Sequence, residues 1–326
     1  GALAAQNNTS DTDVYNVAIG YNAGNDITTG GRNTLIGGLA GDALNTGNFN
    51  VAIGYQTLST EDAGNYNTAI GYKALSVQDA GDAYNTAVGF QAGLAVTTGI
   101  KNTIVGGLAG DALTIGNNNT ALGYAALSTS VDGDYNTAIG FAALLVYEDG
   151  DGNGHNTAVG ANSQAAATTG EFNTSLGSLS MGVGVTTGNS NVAVGYQSGQ
   201  ALTSGSENIT IGQGAGDALT TGTRNVAIGH AALSAEDAYG KNVAIGYLSL
   251  LTLDAGADGY NVAVGYEAGK SVTTGTANTI IGGLAGDALT TATNNVAIGY
   301  AALSSEVAGP DNVAIGYFAM GSTDNA

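Results

Sequence analysis

The chain contains no cysteine and a single proline among its 326 residues. The first absence excludes disulfides, thiol nucleophiles and cysteine-held metals, and leaves the redox compartment open. The second, beside 54 glycines, excludes collagen and proline-rich linkers. Basic residues are scarce: 6 Lys and Arg stand against 26 Asp and Glu, for a formal net charge of −20. A field of that sign repels nucleic acid and anionic membranes and favours cations and solubility. No nucleic-acid partner is therefore expected. No apolar run approaches the roughly 20 residues needed to span a bilayer, so membrane insertion is not expected either. Gly1 to Ala5 has neither the basic segment nor the long apolar stretch of an intact signal peptide, and fits a mature or trimmed start.

What the chain has instead is a repeat. Asn-Val-Ala-Ile-Gly-Tyr stands at Asn16 to Tyr21 and returns at Asn50, Asn295 and Asn312, with Asn67 to Tyr72 differing by one residue. Looser copies complete a series of eighteen, and the commonest step is 17 residues. A unit this short cannot bury a core alone, so the copies must stack as a solenoid. The expected fold is all-β: a parallel β-solenoid of about eighteen rungs, one array over residues 1–326. At about 4.8 Å per rung such an array is on the order of 85 Å long. Residues 1–15 read as a partial rung. Four-rung blocks open at Asn16, Asn85, Asn191 and Asn261, and residues 156–190 read as a two-rung insertion.

With the motif Asn as position zero, position three is aliphatic, as in Ile19, Ile36 and Val88, and position four is Gly throughout. Strand side chains alternate between faces. The aliphatic column is expected to point into the coil and the Ala/Gly column outward. Gly in a strand marks a bend or the close approach of another backbone, so position four is either a seam against a neighbouring chain or a corner of the coil. The Asn side chains are expected to hydrogen-bond along their column, as in cross-β arrays. Aromatic residues at position five, including Tyr21, Tyr55, Tyr72, Phe90 and Tyr124, read as a packing ladder. The second rung of a block is distinctive. Position two becomes bulky (Leu35, Ile104, Thr210, Ile280) as position five loses its ring (Gly38, Gly107, Gln213, Gly283). That exchange reads as a close-packed interior holding its volume constant.

The Asn-x-Ala-Ile-Gly core, from Asn16 to about Gly321, resembles the head repeats of trimeric autotransporter adhesins. Similar repeats occur in tail-fibre-like proteins of bacteriophages. The resemblance implies a left-handed β-roll, three chains about one axis, and a surface-exposed binding role. It points to an extracellular location, on a cell surface or a virion fibre, and to a host-surface or matrix ligand.

The residues offer little chemistry of their own. His155 and His230 occupy unlike repeat positions, and no Ser/His/Asp cluster stands outside the repeat. No catalytic residue is assigned and the chain is not read as an enzyme. An enzyme acting on polysaccharide would need a unique carboxylate pair, which the repeat does not supply. One segment breaks the pattern: Asp149-Gly-Asp-Gly-Asn-Gly154 has the Asp-x-Asp-x-Asn-Gly spacing of a calcium loop. Asp149, Asp151 and Asn153 are its candidate ligands, although the closing Glu is replaced by Gly160. The expected function is an extracellular fibre or adhesin segment, self-associating as a homotrimer. A filament subunit stacking end to end, suggested by the absence of polar caps on the terminal rungs, is the first alternative. An ice-binding solenoid is the second.

Overall fold

The computed structural model describes residues 14–148, 154–305 and 309–321. Among these residues all regular structure is β, and no helix is long and apolar enough to cross a membrane. The chain forms two compact units, Gly1–Thr169 and Gly170–Ala326. The division falls within the stretch 156–190, where the four-rung order lapses.

The first unit holds nine three-residue strands: β1 (Val17–Ile19), β2 (Thr34–Ile36), β3 (Val51–Ile53), β4 (Thr68–Ile70), β5 (Thr86–Val88), β6 (Thr103–Val105), β7 (Thr120–Leu122), β8 (Thr137–Ile139) and β9 (Thr157–Val159). The second holds nine more: β10 (Thr174–Leu176), β11 (Val192–Val194), β12 (Ile209–Ile211), β13 (Val226–Ile228), β14 (Val243–Ile245), β15 (Val262–Val264), β16 (Thr279–Ile281), β17 (Val296–Ile298) and β18 (Val313–Ile315). Within each unit every strand pairs in parallel with the next. Like repeat positions stand in register, as Val17, Ala18 and Ile19 do with Thr34, Leu35 and Ile36. This is the parallel β-solenoid that the 17-residue step predicts.

The motif Asn holds the rungs together. The backbone N–H of Asn33 donates to Oδ1 of Asn16 at 2.8 Å, and that of Asn50 to Oδ1 of Asn33 at 2.9 Å. The second unit repeats the bond from Asn191 to Asn173 and from Asn208 to Asn191. The side-chain Nδ2 of Asn33 donates to the carbonyl of Gly47 near the end of its own rung. The expected Asn ladder is therefore present, but it lies inside the coil: Asn50, Asn67 and Asn85 are fully buried. A buried amide needs partners, and these bonds supply them in most rungs; only the Nδ2 atoms of Asn67 and Asn136 are left without one among the described ladder residues.

Burial of Asn sets the parity of the strand, and it reverses the expected inside and outside. Positions zero and two share a face, so the Ala of position two enters the core. Ala52, Ala69, Ala87, Ala121 and Ala138 have no exposed surface. The aliphatic residues of positions one and three lie on the other face, half-buried at best. The alternation was sound, but hydrophobicity misassigned the faces. The coil is too narrow to take Val and Ile from every strand, and a small residue sits beside the Asn ladder except where Gly at position eight makes room for a larger one. The remaining core comes from the following turns, with Leu58, Leu75, Leu127 and Leu144 at position eight and Ile27, Leu44, Val96 and Leu113 at position eleven.

Position four is a corner of the coil. Gly140 has φ +137°, and a Cβ there would lie 2.6 Å from the carbonyl oxygen of Gly160 in the next rung. The backbone that approaches closely belongs to the same chain, so the position-four column needs no second chain to account for it. The bulky residue at position two also has a different partner from the expected one. Leu35 Cδ1 and Cδ2 would stand 2.7 and 2.9 Å from a Cβ at Gly24 and Gly41. Bulk at position two fills the space left by Gly at position eight, inside the coil. The missing ring at position five lies outside and exchanges no volume with it.

Candidate functional site on the outward face

The parity of the strands turns positions −1, 1, 3 and 5 outward. Positions one and three give each unit a strip of half-buried Val, Thr, Ile and Leu. Two columns of rings border it. At position five Tyr55, Tyr72 and Phe90 stack at 5.8 and 5.4 Å between centroids, and Tyr124 stacks on Phe141 at 5.7 Å. In the second unit His230, Tyr247 and Tyr266 continue the pattern at 5.3 Å each, and Tyr300 stacks on Tyr317. The expected packing ladder is thus present, with rings about half exposed: Tyr55 at 48% and Phe90 at 54%.

The second column was missed. It occupies the residue before each motif Asn. Phe49, Tyr66 and Tyr84 stack at 5.2 and 4.9 Å, and Tyr135 stacks on His155 at 4.8 Å. The signal was legible: Tyr15, Phe49, Tyr66, Tyr84, Tyr135 and Tyr260 share one repeat offset. Charged residues fill other rungs of this column and pair along it. The Arg32 guanidinium lies 5.1 Å from the Phe49 ring centroid. Arg224 Nε donates to Glu207 at 2.8 Å and holds that carboxyl below its usual range. Lys241 Nζ bonds Asp258 at 2.6 Å, lowers its pKa, and lies 4.9 Å from the Tyr260 centroid.

Three groups of acidic residues bear on metal binding. The calcium candidates Asp149, Asp151 and Asn153 lie outside the described residues. Glu236, Asp237 and Asp254 bring carboxylate oxygens within 4.8 Å of one another. Each oxygen of Glu236, however, already accepts a backbone N–H, from Tyr239 at 3.0 Å and Ala255 at 3.3 Å. Glu61 occupies the equivalent place in the first unit, accepting from Gly64 N at 2.7 Å and Gln78 Nε2 at 3.0 Å. Both glutamates are fully buried at position eleven, where about half of the rungs carry Ile, Leu or Val. Burial pushes both pKa values up, and neighbouring aspartates add to the rise. They cap their own loops. Third, Asp42, Asp217 and Asp287 of the Gly-Asp-Ala-Leu segments each leave a buried Oδ1 without a hydrogen-bond partner, and burial raises their pKa as well.

Among the described residues no ligand-sized pocket opens, so the surface offers a face and not a cleft. The chain matches no family model and no curated protein.

Proposed function

We propose that the chain is an extracellular structural segment of a fibre or adhesin, acting as a side-by-side homotrimer with the outward strips turned toward a common axis. The observation that supports this is the outward strip itself. Position three is aliphatic in every rung, position one is Val, Ile or the methyl-bearing Thr, and stacked rings flank the strip on both sides. A contiguous apolar surface of that extent is unusual on a protein that works alone, and marks an interaction face. Location and a host-surface or matrix ligand follow the resemblance to adhesin head repeats. Light scattering of the purified chain tests the assembly, and a monomer at high concentration would end this reading.

One observation favours a second reading. From β4 to β9 every strand carries Thr at position one and an aliphatic residue at position three, all outward. Rungs about 4.8 Å apart and side chains about 6.7 Å apart along the strand make a regular hydroxyl and methyl array, the kind of surface an ice-binding reading needs. The same strip cannot serve both purposes at once. Freezing-point hysteresis from a monomeric chain would favour ice, whereas an oligomer without hysteresis would favour the fibre.

A further inference from the structure

Most glycines of this coil are demanded by its own backbone, but Gly38 and Gly107 are not. Neither has a positive φ, and a Cβ would meet nothing nearer than 3.4 Å at Gly38 and 3.6 Å at Gly107. In each case the nearest group is the flank of a single ring, Tyr55 or Tyr124. The fold would accept a side chain at either position, yet the column of rings is interrupted there. Each interruption leaves a gap between two rings, Tyr21 and Tyr55 in one case and Phe90 and Tyr124 in the other. Two rung spacings put those rings about 10 Å apart. A flat or slender cation midway between them would lie about 5 Å from both, within the roughly 6 Å over which a cation is held by a ring face.

The same rungs carry an unusual residue at their opposite edge. Position −1 is Arg32 in the rung of Gly38 and Lys101 in the rung of Gly107. The first unit has one more rung without a ring at position five, at Ala161, and it carries His155. The rungs of that unit that do have the ring carry Tyr15, Phe49, Tyr66, Tyr84, Asn118 and Tyr135. Two of the three Lys and Arg residues of that unit stand in these ringless rungs, and the correspondence needs a cause; it is confined to the first unit, because Arg224 and Lys241 share rungs with His230 and Tyr247. Contact within one chain is not the cause, because the two positions are six residues apart on a strand and its corner, up to about 20 Å.

We infer that Arg32, swinging off the Phe49 ring of its own copy, and Lys101 insert into the ring gaps at Gly38 and Gly107 of the adjacent copy, locking the copies at the same height. An axis parallel to the stacking direction brings the −1 edge of one copy to the position-five edge of the next, rung for rung. The occupant is thus a second copy of this chain, and its cation suits an apolar gap in a molecule of charge −20. The interlock belongs to the first unit, since the gap at Gly283 shares its rung with Ala277. It rests on the side-by-side assembly proposed above and specifies its register.

The absence of cysteine makes the test direct. Full-length Arg32→Cys/Gly38→Cys and Lys101→Cys/Gly107→Cys chains are treated with a short bis-maleimide, beside the mismatched pair Arg32→Cys/Gly107→Cys. Matched pairs are expected to give covalent oligomers ending at the size seen by light scattering, and the mismatched pair to stay a single chain on a denaturing gel. In parallel, Gly38→Tyr/Gly107→Tyr fills both gaps and is expected to weaken assembly at least tenfold with an unchanged circular-dichroism spectrum. A monomeric parent chain would overturn the assembly and the interlock together. An oligomeric parent whose matched pairs cross-link no better than the mismatched pair, or whose filled-gap variant assembles normally, would overturn the interlock alone.

Discussion

At the scale of single residues, neighbouring glycines have opposite roles. Gly106 has φ +140° and abuts the carbonyl of Gly123, while Gly107 is unconstrained. Gly106→Ala should therefore cost roughly 2–6 kcal/mol, combining backbone strain with overpacking. Gly107→Ala should change the stability of the isolated fold by less than about 0.5 kcal/mol. Denaturant unfolding of the two variants measures the contrast, and equal losses would contradict the corner assignment. The Asn ladder makes a second residue-scale prediction. Asn119 accepts from Asn136 N at 2.8 Å and donates to Gly133 O at 2.7 Å. Asn119→Ala leaves both groups buried and unpaired, so about 2–5 kcal/mol should be lost in the same experiment. Asp in its place keeps the acceptor but puts a carboxylate against the Gly133 carbonyl, and should be no better.

At the scale of the rung, the sequence shows the element and conceals its orientation. The period, the parallel register and the Asn column follow from spacing alone, because stacking is the only way a 17-residue unit can bury anything. Orientation depends on volume. Ile19 and Ile53 look like core, yet a coil this narrow takes Ala18 and Ala52 on its inner face, as the buried Asn50 shows. The turns were harder still. Tyr66, Lys73 and Leu75 adopt positive φ without being Gly, Asn or Asp, so no turn residue announces them. Each such residue costs on the order of 1–2 kcal/mol locally, and the ladders on either side hold it there. The buried Glu61 and Glu236 were legible only as departures from an often aliphatic position eleven. They carry a pH prediction. Their folded pKa values lie above the ordinary carboxylate value of 4.5, so the folded state binds more protons than the unfolded chain. Stability is then full below about pH 4.5 and falls as pH rises through the folded pKa. Asp42, Asp217 and Asp287 act in the same direction. A Glu61→Gln/Glu236→Gln chain should show a flatter dependence of melting temperature on pH between about 4.5 and 8. A slope as steep as the parent's would assign the effect to general repulsion among the remaining carboxylates.

At the scale of the whole molecule, the proposed assembly sets two forces against each other. The outward strip would draw copies together, and a charge of −20 on each would drive them apart. Replacing Val88 and Ile139, which face outward from β5 and β8, by Asp should separate copies without unfolding them. The expected loss is tenfold or more in the assembly constant, about 1.4 kcal/mol for each factor of ten, with the strand spectrum retained. Salt distinguishes an apolar contact from an ionic one. The Debye length shrinks from about 30 Å at 0.01 M to about 8 Å at 0.15 M, so the repulsion between acidic surfaces is largely screened over that range. Apolar burial is not weakened by the same change. Association through the strip should therefore tighten as salt is raised. A cation held between two ring faces should lose less to screening than an exposed ion pair such as Arg224 with Glu207. Sedimentation at increasing salt decides the matter: tighter assembly supports the strip, and dissociation would show that the copies are held by charge.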